Sequence, residues 1–289
     1  MAAGREGGGK RGTWAPWALM SPAVLWLTLF FLVPVYFLLR TALSNVDFVG
    51  NTTFAWRWHN FSEAWTTYNS EFIRSFWYGA LATLLCIALG YPLAYVIAVR
   101  GGRWRNMLLG LVVVPFFTSY LIRTLAWKTL LQDRGPFVSL LRDVHLIGAN
   151  GRLLSTPAAV IGGLTYNFLP FMILPIYVSL EKIDLNLVAA AKDLYSNPWR
   201  AFRKVVLPLS LPGVFAGSLL TFIPASGDFV NASLLGSPQT SMIGNVVQGN
   251  FLATVNYPSA AAISFVFMAI ILVLVLLYAR VLGTEELSV

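Results

Sequence analysis

Glu181 to Pro212, EKIDLNLVAAAKDLYSNPWRAFRKVVLPLSLP, is a polar and basic interruption between two stretches apolar enough to cross a membrane. Leu187, Ala190, Ala191 and Leu194 fall at i, i+3, i+4 and i+7, which predicts a short helix with one small apolar face and Asp184 as its cap. A second helix is predicted directly after it. Asn197 suits the N-cap, and Pro198 suits the first helical position, where its missing N–H has no intrahelical partner. Trp199, Phe202 and Val206 continue an apolar stripe, and Pro208 is expected to stop or bend the helix. Lys182, Lys192, Arg200, Arg203 and Lys204 assign this loop to the cytoplasmic side, because flanking Lys and Arg set the orientation of neighbouring spans. On these residues alone, an amphipathic helical hairpin lying on the membrane surface satisfies the same pattern.

Composition points to a membrane protein. The 289 residues are 57% hydrophobic and 11% charged, with a mean hydropathy of +0.69, more apolar surface than a soluble fold can bury. The net charge of +8 collects beside apolar stretches rather than along one polar face, so lipid head groups account for it and nucleic acid is not an expected partner. One cysteine, Cys86, supports no disulfide, zinc or nucleophile framework. Gly4 to Lys10 mimics the first part of a phosphate loop, but Arg11 stands where Ser or Thr is required and no strand precedes it.

In chain order, residues 1–15 read as a disordered, basic tail, 16–283 as the transmembrane domain and 284–289 as a second tail. Gly12 to Leu39 carries no charge and predicts an uncleaved first span. Arg40 to Arg74, with Trp56, Trp58, Trp65 and Tyr68, reads as an outer segment; Asn51-Thr52-Thr53 within it fits a glycosylation pattern, at little weight. Lone His59 and His145 read as solvated loop residues. The second span is Ser75 to Val99, with a kink expected at Pro92; a basic turn, Arg100 to Arg105, comes next on the inner side. The third span starts near Asn106 and rises to Arg123 and Lys128, which are expected to snorkel at the outer interface as anchors. Gln132 to Arg152 is an outer loop with room for a short helix, and Leu153 to Leu180 is the fourth span. The fifth begins near Pro212 with Gly213-x-x-x-Gly217, a pattern that brings helices close, and breaks at Pro224, Gly227 and Asp228. Gly236 to Pro258 is too rich in Gly, Ser, Asn and Pro to face lipid and reads as a re-entrant or outer loop; Ala260 to Leu282 is the sixth span. The fold class is therefore all-α and polytopic, with six spans and both termini cytoplasmic. No internal repeat, paired-carboxylate site or nucleophile motif supports an inverted-repeat carrier or a membrane enzyme.

Ala190-Ala191-Lys192-Asp193-Leu194, then Pro198-Trp199, Val205, Leu207-Pro208 and Pro212-Gly213, resembles the EAA loop of ABC-importer permeases, with Ala189 where that family usually has Glu and Tyr195 where it usually has Gly. The resemblance implies a type I importer fold. It also implies that Ala190, Ala191, Lys192, Asp193, Leu194, Pro198, Trp199, Leu207 and Pro208 dock into a groove of a cytoplasmic ATPase subunit. Gly90-Tyr91-Pro92-Leu93-Ala94-Tyr95, Thr118 to Thr124, Phe222-Ile223-Pro224, Gly227-Asp228-Phe229 and Met242-Ile243-Gly244-Asn245 are similar to the permeases of spermidine/putrescine importers, over roughly residues 72–279. That likeness implies a heterodimer with a second permease, two ATPase subunits that bind the ATP, an external substrate-binding protein, and no cofactor on this chain. Related permeases carry opines, other cationic amines or ferric iron, and an ion-coupled carrier or a structural scaffold are the rivals from other classes.

Asp228 is the only carboxylate between Lys204 and Glu285, and ionisable groups at membrane depth usually face a cavity or a partner. With Asn231, Tyr120 and Arg123 it makes a candidate substrate pathway. A salt bridge from Asp228 to Arg123 or Lys128, or a cap on a broken helix, would explain the same residue structurally.

Overall fold

A computed structural model of the chain describes residues 15–47, 52–145, 147–148, 151–184, 186–187, 190 and 197–282. The Gly4–Lys10 stretch, Asn51 of the glycosylation pattern, the two tails beyond residues 15 and 282, and Ala189, Ala191, Lys192, Asp193, Leu194 and Tyr195 lie outside them.

Apolar runs dictate long helices. Helix α1 (Ala15–Leu27) passes through a π-turn at Thr28–Leu32 into α2 (Val33–Ala42). A small antiparallel hairpin comes next, β1 (Ser44–Val46) with β2 (Thr52–Phe54), in the register Ser44 to Phe54. Then come α3 (His59–Tyr95), α4 (Arg105–Val113), α5 (Tyr120–Leu131), α6 (Pro136–Asp143) and α7 (Pro157–Glu181). The last part holds α8 (Pro198–Ala201), α9 (Leu207–Ser226), α10 (Val230–Leu235), α11 (Ile243–Leu252) and α12 (Tyr257–Leu282). Among the described residues, five helices are long and apolar enough to cross a membrane, and the bent pair Gly102–Phe117 with Tyr120–Asp143 makes a sixth if taken as one span.

Helices α3, α7 and α9 form the centre. Cys86, Ala94, Met172, Ile173, Ile176, Tyr177 and Val206 bury their side chains at one end of this trio. Contact there is close because small residues stand at the crossings, the usual source of helix association in lipid, where apolar side chains gain nothing from leaving water. A Cβ on Gly217 would come within 2.8 Å of Met172 Sδ, and one on Gly79 within 3.0 Å of Ser226 Cβ, so the Gly213-x-x-x-Gly217 pattern is a helix contact as expected. By contrast α1 and α2 lie on the periphery, with Trp26, Phe30 and Phe31 each about 60% exposed.

Four expectations need correction. The helix of the second span starts at His59, not Ser75: Arg40 to Arg74 holds the hairpin and the first turns of α3, where Phe61, Ala64, Tyr68 and Phe72 lay one helical stripe against α11 and α12. Pro92 leaves α3 helical; the internal backbone deviation is at Tyr68 (φ −117°, ψ 21°), and the proline is followed by a π-turn at Val96–Arg100. Pro208 neither stops nor sharply ends its helix. A π-turn at Phe202–Val206 widens the ladder, with Leu207 N–H donating to Phe202 O, and α8 runs on into α9, which starts before Pro212. The third span is broken: after α4 and a 3-10 turn at Val114–Phe117 the chain bends by 93° at Thr118–Ser119, so a straight rise of ~1.5 Å per residue does not place Arg123. The Gly236 to Pro258 region, read as a re-entrant or outer loop, contains α11 and buries Met242 and Ile243 against the rest of the protein, which does not contradict that reading.

Candidate functional site

Asp228 stands in the break between α9 and α10 and is 8% exposed. Its Oδ1 accepts the Asn231 backbone N–H at 2.7 Å, tying down the first turn of α10, and its Oδ2 accepts the hydroxyl of Tyr120. Tyr120 opens α5 immediately after the 93° bend, and its hydroxyl oxygen also accepts from Asn231 Nδ2 at 2.6 Å. Asn231 Oδ1 accepts from Asn167 Nδ2 at 3.3 Å, and the same nitrogen lies 3.2 Å from Thr124 Oγ1. Helices α5, α7 and α10 are thereby joined by one buried polar chain, strengthened by the low dielectric around it.

The Met242-Ile243-Gly244-Asn245 stretch packs against this arrangement. A Cβ on Gly244 would lie 2.4 Å from the Gly227 carbonyl oxygen, so only glycine lets α11 pass the Asp228 break this closely. Asn245 Nδ2 donates to Phe229 O at 2.9 Å and to Ser233 Oγ at 2.6 Å, while Ser75 Oγ accepts the Ile243 N–H at 2.7 Å. Gly163 presents an open face to Asn231, whose Oδ1 would be 2.7 Å from an added Cβ.

Tyr120, Asn231 and Asp228 are therefore brought together, and the capping reading of Asp228 holds. Its salt bridge to Arg123 or Lys128 does not: among the described residues Asp228 makes no ion pair, because Tyr120 and Asn231 occupy its oxygens. Arg123 instead lies against two aromatic rings. Its guanidinium carbon sits 5.5 Å from the Phe116 ring centroid and 5.7 Å from that of Tyr120, and its Nε and Nη1 are buried with no hydrogen-bond partner. Phe116 in turn packs edge-on against Phe171, and Tyr120 lies tilted against Phe168. Sequence reasoning missed Asn167, Thr124 and Phe116. An amide in the uncharged run Leu153 to Leu180 was the available signal for Asn167; Thr124, at i+4 from Tyr120, needed the bend to be known.

At the opposite end lies the interruption from Glu181 to Pro212. Asp184 Oδ1 accepts the Asn186 N–H at 2.9 Å and Asn197 Oδ1 accepts the Trp199 N–H at 2.9 Å, so both predicted caps form. Phe202 meets Tyr91 and Tyr95 edge-on and Val206 is buried, whereas Trp199 stacks on Phe202 and is 67% exposed. The stripe therefore divides: its C-terminal part anchors the segment and its N-terminal part is open. Leu187 and Ala190 are exposed as well, Leu207 is half-buried and Pro198 and Pro208 are exposed. Arg105, at this end, pairs with Glu181 and donates to the Tyr177 hydroxyl.

Residues 87–282 match the family described as the inner membrane component of binding-protein-dependent transport systems. The chain is 36% identical over 256 residues to the spermidine/putrescine transport system permease protein PotB of Haemophilus influenzae, covering 88% of this chain and 90% of that one. Identity to the PotB of Escherichia coli is 34% over 256 residues, covering 88% and 93%. In fold it is similar to a chain of a bacterial ABC transporter that imports the acidic polysaccharide alginate, with a TM-score of 0.69 at 17% identity over 94% of this chain and 96% of that one. A chain of the MetNI methionine ABC transporter in an inward-facing conformation gives 0.53 at 18% identity, over 74% and 92%.

Proposed function

This chain belongs to the inner membrane components of binding-protein-dependent transport systems, and on that premise we propose that it is one half of a pore importing polyamines, driven by ATP bound and hydrolysed on separate cytoplasmic subunits. It is a multi-pass permease, a transporter component rather than an enzyme. The observation that carries the substrate assignment is the 34–36% identity to spermidine/putrescine permeases across 88% of the chain. Supporting it is the chemistry of the buried cluster, where one carboxylate and several aromatic faces suit an alkyl ammonium.

In this reading both termini and the 181–212 segment are cytoplasmic. The exposed faces of Leu187, Ala190, Pro198 and Trp199, continued by Ala191, Lys192, Asp193 and Leu194, dock on one of two ATPase subunits, with Leu207 and Pro208 completing the segment. Closure of the ATPase dimer moves that segment, and the unbroken run from α8 through the π-turn into α9 transmits the movement to the Asp228 break. The pore, completed by a second permease subunit, then opens outward to receive substrate from an external binding protein and afterwards inward to release it. Asp228, Tyr120 and Asn231 line or border the path, and membrane lipid covers the apolar periphery.

Reconstitution in proteoliposomes with the ATPase subunits, the second permease and the binding protein tests this. Labelled spermidine is expected to accumulate with ATP and not without it. Uptake driven by an ion gradient alone would make the protein a secondary carrier, and no uptake of any solute under either condition would leave a scaffold.

A further inference from the structure

Arg123 lies over the ring of Tyr120, the residue whose hydroxyl Asp228 accepts, yet among the described residues it makes no ion pair, and no hydrogen bond through Nε or Nη1. A guanidinium is permanently charged and carries five donors, so a site that buries two of them without acceptors is an unusual resting place. What holds it is a pair of aromatic faces, Phe116 from before the 93° bend and Tyr120 from after it, at 5.5 and 5.7 Å. Asn167, 1% exposed, shows the complementary defect in the polar chain that ends at Tyr120: its Oδ1 is buried with no donor. The region thus holds a cation lacking acceptors and an acceptor lacking a donor.

We propose that Arg123 is a tethered stand-in for the transported cation: in the empty protein its guanidinium covers the Phe116 and Tyr120 faces, and an incoming ammonium exchanges with it. This rests on the cationic-amine reading of the pore. A primary ammonium is smaller than a guanidinium and presents three rotatable donors, which suits the unfilled acceptor on Asn167 as well as the ring faces. Arg123 is only half-buried as a residue, with a flexible stem that can carry its charge outward when it is displaced. The exchange keeps the aromatic faces paired with one positive charge throughout.

Two measurements on the assembled transporter test the exchange. First, Arg123→Gln removes the competing charge, and the KM for spermidine is expected to fall several-fold, whereas Arg123→Lys keeps a tethered cation and is expected not to lower it; an unchanged or raised KM in an assembled Gln variant, or an equal fall in the Lys variant, overturns the proposal. Second, and independent of any variant, the wild-type protein is treated with an arginine-selective dicarbonyl and modification at Arg123 is read by mass spectrometry. Spermidine, and tetramethylammonium as a plain cation probe, are each expected to increase modification at Arg123 by expelling it into water. Protection, or no change with either cation, overturns the exchange. Failure of wild-type spermidine uptake would remove the polyamine reading instead, and the tetramethylammonium arm alone would then decide on Arg123.

Discussion

Gly213 rests directly on the backbone of Ile176: a Cβ at 213 would stand 2.9 Å from Ile176 Cα and 2.6 Å from the Pro175 carbonyl oxygen. Backbone cannot yield as a side-chain end can, so Gly213→Ala must push α9 away from α7. Overpacking of this kind costs ~1–3 kcal/mol, and the apparent Tm of the detergent-solubilised protein is expected to fall by several degrees. Gly110→Ala is the control, since nothing lies within 4 Å of its added methyl and helix propensity favours alanine. Equal stability of the two variants would show that α7 and α9 are not this close.

Orientation is tested by cysteine accessibility in intact cells. Glu63 and Arg103 are both exposed, and on the Lys and Arg asymmetry they belong to opposite sides of the membrane. In a Cys86→Ser background, Glu63→Cys is expected to react with a membrane-impermeant maleimide and Arg103→Cys is not. Labelling at 103 from outside would invert the map.

The division of the coupling stripe makes a third expectation. Phe202 and Val206 anchor the segment, whereas Trp199 offers its open face and is stacked only on Phe202. Trp199→Ala is expected to weaken ATPase docking by about 2 kcal/mol or more, the scale of an interfacial aromatic anchor, and to lower uptake with the permease still inserted. Leu194→Asp, which buries a carboxylate at the same interface, is expected to do the same. Full ATPase association by both variants would show that this face meets lipid or solvent.

The long spans were legible in the sequence because uncharged runs such as Leu153 to Leu180 leave no other structure for a bilayer to accept. So was the contact at Gly213 and Gly217, and both caps at Asp184 and Asn197. The bend at Thr118–Ser119 was not. Val114 to Phe117 is as apolar as a straight helix would be, and Pro115, a local signal for a break to whose carbonyl the Thr118 N–H and hydroxyl turn back, does not by itself set a 93° bend; Phe116 also packs there on Phe171 from α7, a contact between distant parts of the chain. Without that bend Arg123 is not brought against both Phe116 and Tyr120. The start of α3 at His59 was hidden for the opposite reason: the average polarity of Arg40 to Arg74 masks the stripe of Phe61, Ala64, Tyr68 and Phe72. Asp228 was picked out by charge and grouped with Asn231, three residues on, and with Tyr120; that the Tyr120 hydroxyl from α5 bonds it directly is a pairing across elements with no local signal.

Asp228→Asn separates a role in transport from one in folding. Asparagine keeps an oxygen to accept the Asn231 N–H, so the cap on α10 survives, and its amide can donate to the Tyr120 oxygen in place of accepting from it. What disappears is the negative charge, together with the charge-assisted bonds, worth about 1.5–3 kcal/mol each. If that charge attracts the substrate ammonium, spermidine uptake is expected to drop about tenfold or more, since ~1.4 kcal/mol corresponds to a factor of ten. The assembled complex is expected to persist at near wild-type yield. Asp228→Ala, which removes the cap as well, is expected to lose both uptake and yield. An Asn variant that assembles and transports normally would take Asp228 out of the pathway and leave it as a helix cap alone.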